Sequence, residues 1–549
     1  MQGSMQHKPL TIDRLFARAE QYFGHRSVTS IVNGERITTQ YRDWADQTRR
    51  LGGALDSLGV SADARVGTFA WNSARHLALY FAVPSTGRVL HTLNIRLFPE
   101  QISYIANHAE DEVLFVDRSL LPLMAPIVPQ LKTVKHLVVM NDGQGATPDD
   151  LDGRTLIDFD DLVASSSPEA FGVADENRAA SMCYTSGTTG NPKGVVYTHR
   201  STFLHTMGLS SVDTLGVGGA DRILPIVPMF HANAWGLAHA GVAVGADLIM
   251  PGADLSGPAL ADLIVEERVT LAAGVPTIWM NTLPHLKGRD TSSLRLIAAG
   301  GAAVPESLSE SFKETIGLPI QQAWGMTETS PLAAVGKLDR DHLELPTDAQ
   351  ARLRAGVGRA ALGVEARIVD PDSGVEITHD GMARGELQVS GPWIAGSYYS
   401  VDPDDGSFTV DGWLRTGDVA TMDERGWINL VDRTKDLIKS GGEWVSSVEM
   451  ENQLMAHPAV AEAAVIGVSH PKWSERPVAC IVLRDGHTLT KEQVWDHLAP
   501  HFAKWQLPEE VVVIDEVPKT SVGKFSKVTL RERFSTIFED SFTKEETAQ

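Results

Sequence analysis

Strand-like and helix-like periodicities alternate through the first third of this 549-residue chain. A chain patterned in this way folds into helices layered over mostly parallel sheets. Ser27–Val32 and residues 35–38 flank Asn33-Gly34, a dipeptide that accepts positive φ at both turn positions and so predicts a hairpin. Tyr41, Trp44, Ala45, Thr48, Leu51, Ala54, Leu55 and Leu58 then recur at three- and four-residue steps, the spacing of an amphipathic helix. Residues 65–70, 112–116 and 136–140 read as strands. Pro99 and Glu100 open a helix with Ile102, Ile105 and Ala106 on one face.

A different texture begins near Leu353. The runs 366–369, 375–377, 386–390 and 427–431 are short and separated by Gly, Pro and Asp turns, which predicts an antiparallel region. From about Lys435 the pattern changes again. A helix at 448–455 precedes strands at 463–468 and 478–483, then a helix carrying Val494, Trp495, Leu498 and Phe502, then a strand at 511–514. About 110 residues of this kind form a compact α+β unit able to fold alone. The expected fold is a large α/β N-terminal part, residues 1–433, made of two layered α/β subdomains and an antiparallel β region. A small, mobile α+β C-terminal part, residues 434–549, completes it, with the boundary inside Asp432 to Asp436.

Acidic side chains outnumber basic ones 70 to 48, for a net charge of −22. That balance disfavours nucleic acid or an anionic membrane as the main partner, and leaves room for an anion in a local pocket. Two cysteines, Cys183 and Cys480, cannot build a disulfide framework or a cysteine-rich zinc site, and they suit a reducing compartment. The longest apolar stretch, 234–250, is rich in Ala and Gly and broken by His239 and Asp247, a poor membrane span. The N-terminus lacks the basic-then-apolar plan of a signal peptide. A cytoplasmic protein without stable membrane insertion is expected.

The most informative segment is Tyr184-Thr-Ser-Gly-Thr-Thr-Gly-Asn-Pro-Lys-Gly194. Its glycines let backbone amides approach a ligand, and its hydroxyls and lysine add donors for phosphate oxygens. It is no Walker A loop, because Gly194 follows Lys193 where Ser or Thr is required. The order of residues closely resembles the signature of the acyl-adenylate-forming superfamily, which includes acyl-CoA synthetases, peptide-synthetase adenylation domains and firefly-type luciferases. Further motifs follow in the family's order: Pro228-Met-Phe-His231, Trp324-Gly-Met-Thr-Glu328, Trp413-Leu-Arg-Thr-Gly-Asp418, a hinge motif from Asp432 to Glu443, and Pro518-Lys-Thr-Ser-Val-Gly-Lys524. Whole-chain texture, including Leu93-Asn-Ile-Arg-Leu97 and Ala232-Asn-Ala-Trp235, is similar to bacterial medium-chain fatty acid and 3-methylmercaptopropionate CoA ligases.

The resemblance implies ATP, Mg²⁺ and coenzyme A as reactants and cofactors, and a homodimer. It assigns Thr185, Ser186, Gly187, Thr188, Thr189 and Lys193 to the ATP phosphates, with Thr188 catalytic. Glu328 would hold Mg²⁺. Gly301, Ala302, Ala303, Ala323, Trp324, Gly325, Met326 and Thr327 would surround the nucleotide, with Trp324 offering adenine a flat face. Asp418 would meet the ribose hydroxyls, and Arg433 the ribose or a phosphate. Trp324 stands where the family usually has Tyr, which keeps stacking but removes a hydroxyl. Lys524 is the catalytic cation for acyl-AMP formation. His231, Trp235 and Gly301 would line the acyl slot, with Met229 and residues 236–245 nearby. His231 is read either as a substrate-positioning group or as a hydrogen-bonded core histidine. Lys435 marks the hinge, and Lys439, Ser440, Gly441, Gly442, Glu443 and Trp444 would face coenzyme A.

The resulting expectation is an AMP-forming acid–thiol ligase acting on a short or medium apolar acid, with 3-methylmercaptopropionate the sharper choice over a medium-chain fatty acid. A stand-alone adenylating enzyme with another acceptor is the alternative, and a non-catalytic nucleotide-binding regulator a third. Asp56-Ser-Leu58 superficially matches a carrier-protein attachment triplet, but it falls within the first predicted helix and reads as helix surface.

Overall fold

The computed structural model describes residues 1, 3–148, 150–185, 191–402, 405–440, 443–470, 472–520 and 525–538. Among them the large part holds two α/β layers. The first is a nine-stranded sheet whose centre is parallel: Ser27–Val32, Asp247–Met250, Arg222–Pro225, Leu271–Gly274, Leu296–Ala299 and Ile320–Gly325 lie side by side. Antiparallel strands close both edges, Glu35–Gln40 through the Asn33-Gly34 hairpin at one, and Leu332–Val335 followed by Arg359–Ala360 at the other. The second sheet has eight strands, with Arg65–Phe69 between Val89–Thr92 and Asp111–Asp117, and Gly194–Thr198 antiparallel at its edge.

The helix Tyr41–Ser57 forms as its period requires, burying Tyr41, Trp44, Leu51 and Leu55 against helix Ala74–Ser85. Ser57 ends it with its hydroxyl on Ala54, and Asp56 pairs with Arg88, so the Asp-Ser-Leu triplet is ordinary helix surface. An opening helix, Ile12–Tyr22, went unread in the sequence although Ile12, Leu15, Phe16 and Ala19 mark one apolar face.

The antiparallel sheet runs Glu365–Val369, Gly385–Ser390, Leu414–Met422, Ile428–Arg433. One expectation needs correction here, and one strand carried no expectation at all. Residues 375–377 make only one isolated bridge, Val369 to Glu376, because the Asp370 carboxylate gathers Asp372 and Ser373 into a turn. Leu414–Met422, which carries Asp418, is the longest strand of this sheet; its inward positions include the polar Thr416 and Asp418, so it shows no apolar alternation.

Past Arg433 the chain enters a last sheet, built on the long hairpin Val460–His470 with Ser474–Leu483. Helices Ser447–Ala456, Lys491–Leu498 and Lys527–Arg533 pack on it. The predicted helix through Phe502 stops at Leu498; Phe502 is buried from the following turn.

Candidate active site

The glycine-rich segment is flanked by two antiparallel strands, with Tyr184 paired to Gly194. Thr185 donates its N–H to the Lys193 carbonyl at 2.9 Å, and the Lys193 N–H returns a bond to Thr185 Oγ1 at 3.1 Å. After Lys193 the chain continues as strand Gly194–Thr198, where a P-loop would lead into a helix. Ser186, Gly187, Thr188 and Thr189 lie outside the described residues.

Thr185 and Lys193 border a cavity of about 600 Å³, together with Trp324 to Glu328, Arg415 to Gly417, Arg433 and Lys435. From the small part, Thr520 and the segment Phe525 to Val528 line the same cavity. Those residues flank 521–524, so Lys524 itself lies outside the described residues.

Charged and aromatic groups around Lys193 form a linked series. Lys193 Nζ is 2.6 Å from Asp405 Oδ2 and sits over the Tyr398 ring, 4.7 Å from its centroid. The Tyr398 hydroxyl donates to Glu328 Oε1 at 2.6 Å. Burial opposes charge on Asp405, but its bonds from Lys193 and Ser407 outweigh this and hold its carboxyl below the usual range. Burial, then the Glu328 charge, drives the Tyr398 hydroxyl well above its ordinary range, so it stays a donor. Glu328 is buried, on a tight turn following strand Ile320–Gly325. Gly325 permits that turn: a Cβ there would fall 1.7 Å from the Pro331 carbonyl.

At the other end Asp418 stands directly behind Trp324 and Arg433. It faces Arg433 across neighbouring strands. Arg433 Nε donates to Asp418 Oδ1 at 2.8 Å, and the Trp324 indole N–H donates to Oδ2 at 2.9 Å. Replacing the family's usual Tyr therefore supplies a donor-only group to this carboxylate. An ionised carboxylate has about four acceptor sites, and these bonds use one on each oxygen.

A third, apolar region of the cavity is walled by Leu209, Leu215, Val227, Trp235, Val275 and Leu332. Its floor has unusual backbone. Ala232, Asn233, Ala234 and Trp235 all lie in the left-handed region, with φ from 44° to 55°, and Gly236 follows at 77°. Left-handed backbone costs non-glycine residues roughly 1–2 kcal/mol each. Buried partners hold the turn: Asn233 donates to Ser181 Oγ at 3.1 Å, and its carbonyl accepts from Cys183 and Tyr80, both at 3.3 Å. Gly300 makes room for the result, since a Cβ there would lie 3.2 Å from the Trp235 ring and 2.5 Å from the Ala323 carbonyl.

His231 lines the cavity, on a segment fixed by Asn72, whose amide donates to Pro225 and Val227 and accepts from the Met229 N–H. Met229 is fully buried and not in the lining. Gly301 and Ala323 are in the lining; Ala302, which is exposed, and Ala303 are not.

The hairpin Ile438–Ser440 with Glu443–Val445 lies away from this cavity, and neither Lys439, Glu443 nor Trp444 lines it. Lys439 sits over the half-exposed Trp444 ring. Ser440 points inward, accepting from Arg476 at 2.8 Å. Gly441 and Gly442 are outside the described residues. Sequence reasoning missed Tyr398, Asp405, Arg415, Thr416 and Thr520. Arg415 and Thr416 carried a signal through the motif that ends in Asp418, and Thr520 through the motif that ends in Lys524; Tyr398 and Asp405 carried none.

Among the described residues no group of three or more metal-ligating side chains occurs, and no helix is long and apolar enough to cross a membrane.

Comparison with known proteins gives a consistent picture. The model for AMP-binding enzymes matches residues 15–399, and that for the AMP-binding enzyme C-terminal domain matches 449–524. The chain is 45% identical to a 3-methylmercaptopropionyl-CoA ligase of Ruegeria pomeroyi, covering 97% of this chain and 99% of that protein. It is 41% identical to a medium-chain-fatty-acid–CoA ligase of Ectopseudomonas oleovorans, covering 98% of each. Among solved structures, an anthranilate CoA ligase in complex with anthranoyl-AMP is similar at TM-score 0.84 and 26% identity, covering 96% of this chain and 98% of that one.

Proposed function

The chain belongs to the AMP-binding enzymes, and on that premise we propose that it is an ATP-dependent acyl-CoA ligase. The observation that carries this reading is the single cavity in which Thr185, Lys193, Glu328 and Trp324 from the large part meet Thr520 and Phe525 from the small part. The two parts are taken as residues 1–433 and 434–549.

Activation joins two anions. The acid's carboxylate attacks the α-phosphate, its oxygen–phosphorus bond forms as the bond to pyrophosphate breaks, and acyl-AMP results. Fixed cations and hydrogen-bond donors are what such a step requires. The 184–194 segment holds the β and γ phosphates, and Lys524 bridges carboxylate and α-phosphate as charge builds. Trp324 stacks on adenine, and Asp418 with Arg433 takes the ribose hydroxyls. Mg²⁺ fits Glu328, a buried carboxylate linked through Tyr398 to the surroundings of Lys193, because this ion keeps waters and binds mainly through substrate phosphates; when bound it would offset phosphate charge.

In the second half-reaction the coenzyme A thiol attacks the acyl carbon, AMP leaves, and the thioester forms. The 439–444 hairpin, including Gly441 and Gly442, then faces the thiol arm after the small part turns about Lys435. A homodimer and a cytoplasmic location are part of this reading.

For the acid, the apolar wall and the Trp235 floor suit a short chain. We favour 3-methylmercaptopropionate, whose thioether occupies such a slot much as a methylene does. A panel of straight-chain and thioether acids, scored by kcat/KM with coenzyme A present, tests it. A maximum at the thioether acid is expected. A steady rise with chain length would replace it with a medium-chain fatty acid, and AMP release without thioester would point to another acceptor. Lys524→Ala is expected to stop acyl-AMP formation while sparing thioester formation from supplied acyl-AMP.

A further inference from the structure

The segment joining the two parts is fastened across its own hinge. Asp432 is the penultimate residue of strand Ile428–Arg433, three residues before Lys435, and is buried. Its Oδ2 accepts the Ser447 backbone N–H at 2.7 Å and the Ser447 hydroxyl at 2.5 Å. Ser447 is the first residue of helix Ser447–Ala456, so its N–H has no partner within that helix. The carboxylate also sits at the positive end of the helix dipole. One residue earlier, the Ser446 hydroxyl donates to the Val431 carbonyl at 2.6 Å. The helix start is thus held by groups from the far side of the hinge.

Behind this contact stands Lys527, from the helix that follows the 521–524 segment. Its ammonium donates to Ser447 Oγ at 2.5 Å and lies 2.8 Å from Glu451 Oε1. Glu451 Oε1 also accepts the Val465 N–H at 2.7 Å. Burial works against the charge on Lys527, but Glu451, Asp432 and Asp436 outweigh it and keep the ammonium charged. Arg531, one turn on, pairs with Asp436. Lys527 and Val528 line the nucleotide cavity, so the same helix touches both the cavity and the hinge.

These contacts divide by what a rotation about Lys435 would do to them. Ser447, Glu451, Lys527, Asp436 and Arg531 all follow residue 435 and travel together. Asp432 and Val431 precede it. Rotation therefore spares the Lys527–Glu451 and Arg531–Asp436 pairs and breaks the bonds from Ser447 to Asp432 and from Ser446 to Val431. We propose that Asp432 and Ser447, with Lys527 behind them, are positioning residues for the first half-reaction, holding the small part where Thr520 and Phe525 to Val528 line the nucleotide cavity. This rests on the ligase reading and on Lys435 as its hinge. None of the three need touch a reactant. Their effect is on the balance between two orientations, so it divides the half-reactions rather than lowering both.

The test is to measure the two half-reactions separately in the full chain, as pyrophosphate release with acid and ATP and as thioester formation from supplied acyl-AMP and coenzyme A. Losing hydrogen bonds to a charged acceptor shifts a two-state balance by about tenfold. Asp432→Asn and Ser447→Ala are each expected to lower the first rate about tenfold relative to the second, and Ser447→Thr, which keeps the hydroxyl, to restore the ratio. Slowing of both halves by one factor in folded Asp432→Asn and Ser447→Ala would overturn the proposal. Lys435→Pro is the control for the underlying reading: if it fails to separate the halves, the hinge lies elsewhere and the positioning role falls with it. If it separates them while the other two variants do not, only the positioning role falls.

Discussion

Lys193 Nζ rests 2.6 Å from Asp405 Oδ2, although the two residues are 212 positions apart in sequence. The lysine assigned to the ATP phosphates thus already has an anionic partner. A triphosphate arriving at the cavity must exchange places with that carboxylate, and meets its repulsion.

Asp405→Asn is therefore expected to lower the KM for ATP, by at most about fivefold because the pair is partly solvated. Steady-state pyrophosphate release over an ATP series reads this directly. A higher KM would show that Asp405 aims the lysine at the phosphates.

The Trp324 indole N–H fixes one oxygen of Asp418 and Arg433 the other. Trp324→Phe keeps an aromatic face but removes the donor, and the carboxylate is then free to turn. The preference for ATP over 2′-deoxy-ATP, measured as a ratio of kcat/KM values, is expected to fall about tenfold. With Asp418→Asn already present, Trp324→Phe should change that ratio little further. Additive losses would mean that stacking alone was removed.

Acid should destabilise the fold through a small group of buried imidazoles. Burial lowers His76, His199 and His239 to about 4 and His205 to about 3, against an ordinary 6.5. A base depressed in the folded state contributes stability that is full above 6.5 and is lost as pH falls through the folded value. The melting temperature is expected to hold near neutral pH and to decline from about pH 6.5 toward pH 4. A flat profile across that window would mean these rings are protonated in the native protein.

Much of the fold was legible because its periods were clean. The helix at Tyr41–Ser57 and the strand His136–Met140 sit where the spacing put them. What escaped did so for local reasons. The buried positions of Leu414–Met422 include the polar Thr416 and Asp418, which break its apolar alternation, and Asp370 bends 375–377 out of a strand through bonds no periodicity records. The site divides in the same way. Residues inside contiguous motifs, such as Trp324, Glu328 and Arg433, could be found by their neighbours in sequence, and they meet at one cavity. Tyr398 and Asp405 could not, because they become relevant only when the chain folds them onto Glu328 and Lys193. Nor does any sequence pattern announce four successive left-handed residues at 232–235; Asn233 is the one member of that run whose type favours such backbone.

That run bears on how substrate range can drift. Were residues 232–235 to return to the ordinary right-handed well, the Trp235 indole would leave Gly300 and the slot would be reshaped in a single step, with no wall residue replaced. Ser181, Cys183 and Tyr80, which grip Asn233, thereby become levers on acid length. Selection could retune the enzyme's diet through side chains that never meet the meal.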